Sequence, residues 1–385
     1  LRTIKALGRD VTLSHQLLEI WIMAAKEKFA EPTYLECGFG ELEHKVITSE
    51  ICCRCGTCEA FCPKIEHKEN RPALVEYDPL CGLCFTYCPR TFLDMGAMES
   101  KLFGRTRKAD EALGIYKKAV SAQARPREGK AQDGGVATAL LVQALESGLI
   151  DCAIITDRDE EWRTVSRVAT TAEEIKAAAG TKYTINNSVI AVKEALEKGC
   201  QKIGFVGTPC QIEALRKVLA LEEPYQFGQE KIALLVGLFC MENFDYDLLM
   251  KGLVKGKFGL DPRDVARFEI KKGMFRVIEK GGKAHEVKIE ETDPYTFTGC
   301  GPCFDFASEL ADISVGSVGS SDGWSTVLTR TDAGERLYSS ALAAGVVQEK
   351  AVSEKGLALA KRLAESKVKR FESKSIEMKV SGITR

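Results

Sequence analysis

Beyond about residue 130 the chain alternates two rhythms of apolar positions. Residues 135–147, 172–179, 186–198 and 210–220 repeat them at three- and four-residue spacing, which predicts helices with one buried face. Residues 151–156 (DCAIIT), 202–206 (KIGFV) and 231–236 are short apolar runs, which predicts strands. Helix and strand in alternation imply an α/β sheet, at least partly parallel, because parallel neighbours need a crossover element between them. Residues 263–330 carry more β signal, with a turn at Lys280-Gly281-Gly282, and residues 333–370 return to helix so charged that it reads as a solvated cover. Near the start, Leu13, Leu17, Trp21, Ala24 and Ala25 fall at helical spacing within residues 11–29, with Asp10 or Thr12 as cap. That predicts a helix that either docks on another surface or joins the core. Residues 50–100 keep neither rhythm. The breaks divide the chain into a helical extension (1–45), a cysteine-rich module (46–104), an α/β domain (105–350) and a helical tail (351–385).

Within the module, Cys52, Cys55, Cys58 and Cys62, followed by Pro63, read C-x2-C-x2-C-x3-C-P, and Cys81, Cys84 and Cys88 before Pro89 form a second, incomplete run. This is the spacing of a two-cluster ferredoxin, in which close thiolates wrap three irons of a [4Fe-4S] cube and the fourth Cys of each run reaches across to the other cube. On that rule Cys52, Cys55, Cys58 and Cys88 hold one cube, and Cys62, Cys81 and Cys84 hold most of the other. The position three before Cys81 is Asp78, so the second cube takes that carboxylate, a water, or a stray thiolate such as Cys53 or Cys37. Paired C-x2-C motifs also bind structural zinc. Seven cysteines in this order, with both C-P endings, favour iron.

Composition narrows the function classes. A chain of 385 residues accommodates two or three domains. A net charge of -1 argues against a nucleic-acid partner. The longest apolar stretch, Ile232 to Met241, is about half of the roughly 20 residues a spanning helix needs, so no membrane span is expected. Residues 1–30 lack the basic, apolar and small-residue order of a signal peptide, and the fifteen cysteines fall largely at ligand spacings, so a reducing cytoplasm is the expected location.

Placing the strands exposes a second constellation. The strand at 202–206 leads through Gly207-Thr208-Pro209 to Cys210, and the strand at 231–236 leads through Gly237-Leu238-Phe239 to Cys240. Both thiols therefore sit at carboxyl ends of strands, the edge where open α/β sheets collect ligands. Cys300-Gly301-Pro302-Cys303 adds a C-x2-C pair in a loop. Four such thiolates can hold a third iron–sulfur cluster or a zinc ion, and ligand type alone does not separate the two. A nucleophilic Cys210 lacks an evident His base among His15, His44, His67 and His285. Cys152 and Cys200 read as inert core and surface residues. Clusters take one electron at a time, so a hydride donor needs an adapter such as a flavin. No strand-to-helix G-x-G-x-x-G is present; Gln132-Asp133-Gly134-Gly135-Val136-Ala137-Thr138 instead opens an apolar helix with a glycine pair, either an approach for a phosphate or flavin edge or a helix start packed on the sheet.

In order and spacing, Gln132–Thr138, Gly180-Thr181-Lys182-Tyr183, Gly207-Thr208-Pro209-Cys210-Gln211, Gly237-Leu238-Phe239-Cys240, Gly299-Cys300-Gly301-Pro302-Cys303 and Ala311-Asp312-Ile313-Ser314-Val315-Gly316 resemble the beta subunits of coenzyme F420-reducing hydrogenase and their relatives. The resemblance covers about residues 105–350. It implies an F420-reducing hydrogenase beta-subunit-like α/β domain that binds FAD and exchanges a hydride with F420, with a [4Fe-4S] cluster beside the flavin at Cys210, Cys240, Cys300 and Cys303. The positions it implies for cofactor binding are Gly134, Gly135, Val136, Thr138, Lys182, Tyr183, Gly207, Thr208, Pro209, Asp312, Ser314 and Gly316. Lys182 is the expected cation at the flavin, and Arg125, Arg127 and Lys130 are candidates to attract the acidic tail of F420. Relatives with an N-terminal ferredoxin module look like the input subunit of F420H2 dehydrogenase and the input half of F420-dependent sulfite reductase. Many carry an acidic residue after the Val315-Gly316 pair, where this chain has Ser317. An oxidoreductase with three [4Fe-4S] clusters and a protein electron acceptor in a hetero-oligomeric complex is the resulting expectation; an NAD(P)H-dependent flavoprotein and a pure electron-transfer subunit are the alternatives.

Overall fold

The computed structural model describes residues 2–6, 9–13, 38–76, 81–127, 130–221 and 227–385. Strands β1 (Arg2–Ala6) and β2 (Arg9–Leu13) pair as an antiparallel hairpin. The helix expected from residue 11 therefore does not begin there, and its remainder lies outside the described residues. In the cysteine-rich module, β3 (Ile65–Lys68) and β4 (Arg71–Leu74) form a second hairpin, followed by the short strand β5 (Leu93–Asp94). Phe39 and Leu42, expected in a separate extension, join Val46, Ile47, Ile51, Ile65 and Phe85 in the core of this module.

The α/β domain is built on an eight-stranded sheet. Its strands are β6 (Lys118–Ala124), β7 (Cys152–Arg158), β8 (Thr164–Ala169), β9 (Ile203–Gly207), β10 (Ile232–Leu238), β14 (Ile313–Gly316), β15 (Ser325–Thr329) and β16 (Val347–Ala351). The order is β16-β6-β15-β14-β10-β9-β7-β8. The pairs β7/β9, β9/β10 and β10/β14 are parallel, and the flanking pairs are antiparallel. A parallel centre buries both faces. On one face Leu140, Leu141, Leu337 and Tyr338 from the helices Val136–Glu146 and Asp332–Ala343 pack on Val236 and Ile313. On the other, Val192, Ile212 and Leu215 from the helices Ala191–Glu197 and Pro209–Leu219 cover Ile154, Phe205 and Leu235. That second core continues without a break into Phe61, Tyr87, Leu93 and Met95 of the cysteine module, so the module docks on this face of the sheet.

The β signal in residues 263–330 resolves into two places. β11 (Val265–Lys271), β12 (Met274–Glu279) and β13 (Ala284–Lys288) make a separate antiparallel sheet whose Phe268 and Phe275 pack on Leu249 and Leu253, while β14 and β15 belong to the main sheet. The C-terminal tail differs from the expected solvated cover. β16 is an edge strand of the main sheet. The helix Glu354–Glu377 buries Ala360, Ala364 and Lys367, and β17 (Ile383–Thr384) pairs in parallel with β5 of the cysteine module.

Candidate redox site

In the module, Gly56 takes a left-handed conformation (φ +87°) that starts the short helix Thr57–Ala60 and turns Cys55 and Cys58 inward. The Cys88 thiol lies with Cys52, Cys55 and Cys58 rather than with its sequence neighbours Cys81 and Cys84. Burial pushes the Cys52 and Cys88 thiols up to about 12, with the Cys88 charge adding to the rise at Cys52 and the Cys55 charge to that at Cys88. Cys58 is raised by burial and then by Cys55, Cys52 and Cys88. These four thiols line one cavity, closed on another side by Leu42 and Val46. Cys62, Cys81 and Cys84 form a second set: Cys84 is pushed up to about 12 by burial and then by Cys62 and Cys81. Asp78 and Cys37, two of the candidates for the missing ligand, lie outside the described residues. Cys53, the third, is buried, lines the cavity of the Cys52 set, and has its thiol raised chiefly by Cys210 and Cys55 and not by Cys62, Cys81 or Cys84.

At the carboxyl edge of the parallel strands, Cys210 opens the helix Pro209–Leu219. Thr208 and Gln211 close a capping box there, with the Thr208 amide donating to Gln211 Oε1 at 2.9 Å. Cys240 follows β10 and is fixed by its amide bond to the Phe306 carbonyl at 2.9 Å. Cys300 ends a 3-10 turn and accepts from the Asn243 amide at 3.4 Å. The four thiols of Cys210, Cys240, Cys300 and Cys303 sense one another: burial raises Cys240, the other three add to it, and burial pushes Cys300 up to about 12. Cys210 goes the other way, to about 6, chiefly because the Cys53 thiol donates to it, with Arg90 and Thr208 also lowering it. Four close thiols ionise together only with a compensating cation among them, a charge that an iron–sulfur cluster or a zinc ion would supply.

The two modules meet at these loops. A Cβ on Gly299 would stand 2.2 Å from the Cys52 carbonyl oxygen, and one on Gly56 would stand 2.7 Å from the Asn187 carbonyl oxygen. The Val189 amide donates to the Cys55 carbonyl at 3.1 Å, and Arg54 lies over Phe297, 4.6 Å from its centroid, and 3.7 Å from Asp245.

Buried cations surround the thiols. Lys367 is 1% exposed; its ammonium donates to the carbonyls of Cys240 at 2.6 Å and Asp305 at 2.7 Å. Lys217, wholly buried, donates to the carbonyls of Cys88 at 2.5 Å and Phe92. Arg90 faces Glu213 at 3.8 Å, beyond hydrogen-bond length, and its Nε and Nη1 and both Glu213 carboxylate oxygens have no hydrogen-bond partner. The motif reading missed all three cations, although a signal exists: Cys210, Glu213 and Lys217 share one helix face, as do Ala360, Ala364 and Lys367.

The positions implied for a flavin mostly gather at the same sheet edge. Gly134 is pressed against Ala122 and Ser325, Gly207 against Gln211 and Gly316 against the Phe239 ring, each with a virtual Cβ contact of 2.6 Å or less. Gly135 caps the helix Val136–Glu146. Lys182 is half-buried: burial lowers its ammonium to about 8, and it donates to the Ala178 carbonyl. Lys130 donates to the neighbouring Ala177 carbonyl at 3.3 Å, and Arg127 to the Asp133 carbonyl at 3.0 Å. Burial raises the Tyr183 hydroxyl, and the nearby Asp133 adds to this. Thr138 and Thr208 are half-buried. Four positions are spent on the protein instead. Val136 and Pro209 side chains are in the core. Asp312 accepts from Arg216 at 2.9 Å, the Leu235 amide at 2.8 Å and Thr331 at 2.7 Å. The buried Ser314 hydroxyl donates to the Ser308 carbonyl at 3.0 Å and accepts from Arg330 at 2.7 Å. Cys152 and Cys200, both buried, meet Asp151, their ligand atoms within 4.8 Å, but the Asp151 carboxylate already accepts the amides of Gln201 and Lys202.

Comparison with known proteins bears on this arrangement. Residues 119–193 match the N-terminal model of the family described as coenzyme F420 hydrogenase/dehydrogenase, beta subunit, and residues 200–355 match its C-terminal model. The coenzyme F420 hydrogenase subunit beta of Methanothermobacter thermautotrophicus is 41% identical over 277 residues, 70% of this chain and 98% of that protein. A subunit of the F(420)H(2) dehydrogenase of Methanosarcina mazei is 34% identical over 309 residues, 76% of this chain and 83% of that protein. The coenzyme F420-dependent sulfite reductase of Methanocaldococcus jannaschii is 37% identical, over 76% of this chain and 46% of its own length. A chain of the F420-reducing [NiFe] hydrogenase complex from Methanosarcina barkeri superposes with a TM-score of 0.67 at 40% identity, covering 70% of this chain and 95% of that one. With both halves of the α/β domain matched, the chain belongs to the family of coenzyme F420 hydrogenase/dehydrogenase beta subunits.

Proposed function

We propose that this chain is the electron-input subunit of a larger complex, an F420H2 dehydrogenase type of oxidoreductase: it oxidises reduced coenzyme F420 at FAD and passes single electrons through three [4Fe-4S] clusters to a partner protein. A bound flavin supplies the conversion between a two-electron hydride donor and one-electron carriers. The observation that carries the reading is the continuity of the thiols. Cys210, Cys240, Cys300 and Cys303 stand at the sheet edge; the buried Cys53 adjoins both Cys210 and Cys55; and Cys55 belongs with Cys52, Cys58 and Cys88 in the ferredoxin module, next to Cys62, Cys81 and Cys84. Zinc fits this less well, since a structural zinc site needs no second thiol set against it.

The remaining residues act by holding charge. The helix start at Gly134-Gly135 and the cations Arg127, Lys130 and Lys182 favour an anionic cofactor beside the carboxyl edge, with Thr138, Tyr183, Gly207, Thr208 and Gly316 lining its approach. Lys182 supplies the positive charge that favours the reduced, anionic ring. Among the described residues no helix is long and apolar enough to cross a membrane, so a membrane complex would hold the chain through partners. The relatives named as hydrogenase and dehydrogenase subunits support a hetero-oligomeric setting.

The test is anaerobic purification followed by reduction. About one FAD and about twelve irons per chain are expected from three four-iron cubes, and reduced F420 should bleach the flavin and reduce a viologen dye much faster than NADH or NADPH. Faster reduction by NADH would overturn the donor assignment. Absence of flavin would leave a pure electron-transfer subunit.

A further inference from the structure

Three wholly buried cations lie beside the thiol sets, and neither the flavin positions nor the cluster ligands need them there. A buried ammonium is costly unless an anion compensates it. Lys367 is bonded only to carbonyls, and the charges it senses are the thiols of Cys303, Cys240 and Cys300 together with Asp305. The Asp305 carboxylate accepts from the Glu309 amide at 2.8 Å, and Lys367 donates to the Asp305 backbone carbonyl, not to its carboxylate. Arg90 senses Cys303, Cys53, Glu213 and Cys210. Lys217 senses Cys88, Glu213 and Cys55. The cations are also unequally shared. Lys367 and Arg90 serve the sheet-edge set and Lys217 serves the Cys52 set, whereas burial and the neighbouring thiols dominate at Cys84 in the Cys62 set.

Resting on the cluster assignment above, we propose that Lys367 and Lys217 are positioning charges that separately set the reduction potentials of the Cys210/Cys240/Cys300/Cys303 cluster and the Cys52/Cys55/Cys58/Cys88 cluster. A four-thiolate [4Fe-4S] cluster is anionic and gains one more negative charge on reduction. A fixed cation in a low-dielectric interior stabilises the reduced form more than the oxidised form and raises the potential. Placing Lys367 against the sheet-edge cluster makes that cluster a better acceptor from the flavin. Placing Lys217 against the next cluster keeps the onward step from running uphill.

The experiment uses the anaerobically purified full chain carrying Lys367→Gln, Lys367→Arg, Lys217→Gln or Lys217→Met. Iron content and the EPR signals of each cluster are measured first, then the midpoint of each by potentiometric titration. Lys367→Gln removes the charge and retains a shorter N–H donor in place of the ammonium that bonds the Cys240 and Asp305 carbonyls. It should disfavour reduction of the sheet-edge cluster by about tenfold, a shift of about 59 mV negative for a one-electron couple, and leave the others in place. Lys367→Arg should restore the potential. Both Lys217 variants should lower the Cys52-set potential alone. Intact clusters with unmoved potentials would overturn the proposal, as would an equal shift of every cluster or loss of the sheet-edge cluster in Lys367→Gln alone, which would make the lysine a scaffold. Absence of iron at Cys210 in the unsubstituted chain would instead overturn the cluster assignment itself.

Discussion

Gly299→Ala tests whether the two modules form one fixed electron path. The added methyl would sit 2.2 Å from the Cys52 carbonyl oxygen and 2.8 Å from a carbon of the Phe297 ring. It falls short of van der Waals contact with the oxygen by about 1 Å. That oxygen is backbone, so no rotamer change relieves the clash, and the loop carrying Cys300 must move off the loop carrying Cys52. Overpacking of this kind costs about 1–3 kcal/mol, and the reduced chain entropy of alanine returns about 0.4–1 kcal/mol. A net loss of about 1–2 kcal/mol is expected. The control is Gly281→Ala, where nothing lies within 4 Å and φ is not left-handed; it should be neutral or slightly stabilising. Two readouts are needed. The apparent unfolding midpoint at a fixed scan rate should fall by several degrees in Gly299→Ala. The magnetic coupling between the reduced clusters of the two modules, read as line broadening in EPR, should weaken. A Gly299→Ala protein as stable as the control, with unchanged coupling, would refute the rigid interface.

The site assignments carry further consequences. Cys240→Ala should remove about four irons and leave the ferredoxin signals; zinc recovered in place of those irons would show a structural metal site. Lys182 is held at about 8 by burial, so its charge is present below that pH and lost above it. FAD retention should weaken as pH rises through 8, and Lys182→Met should abolish this dependence; an identical pH profile in the variant would return Lys182 to a structural role. The unfolded lysine keeps its proton to about 10.4, so the contribution of this group to folding stability rises with pH between those two values. Asp78→Cys should supply a fourth thiolate to the Cys62, Cys81 and Cys84 cube and suppress the three-iron EPR signal expected on mild oxidation, because a carboxylate holds cluster iron less firmly than thiolate. A three-iron signal of the same size in Asp78→Cys would remove Asp78 from the site.

The parallel centre of the sheet was legible because β7, β9 and β10 are nearly continuous apolar runs and helices separate them. Its antiparallel edges were not, because β15 and β16 follow a hairpin and a charged helix that carry no crossover signal. The thiol pattern likewise declared itself through spacing, since metal ligands close in sequence need a fixed reach. Charge compensation left a weaker trace. Lys367 reads as one of many lysines in a charged tail, and only its register with Ala360 and Ala364 marks it as interior. Asp312 and Ser314 illustrate the converse. A motif position invites a ligand role, yet Arg216 from a distant helix and Thr331 and Arg330 from the end of the neighbouring strand claim these two side chains.

The tail ties these elements together. From one helix, Lys367 reaches the Cys240 carbonyl and Arg370 the Met241 carbonyl at 2.7 Å, so the loop that presents Cys240 is held from outside the sheet. Farther on, β17 pairs with β5 of the cysteine-rich module, and Arg385 reaches Glu309 at 2.7 Å in the α/β domain. Arg107, just past the end of the cysteine-rich module, bridges Glu99 and Glu309, both at 2.5 Å, so both connections converge on the same buried carboxylate. Buried ion pairs of this kind are poor sources of net stability, because desolvation offsets much of the attraction, but breaking one partner leaves an uncompensated charge. Their effect is therefore on geometry: Glu309 holds Arg107 and Arg385 together beside the junction of the two modules. The segment farthest from the cysteine motifs in sequence thus helps to fix the separation between the thiol sets.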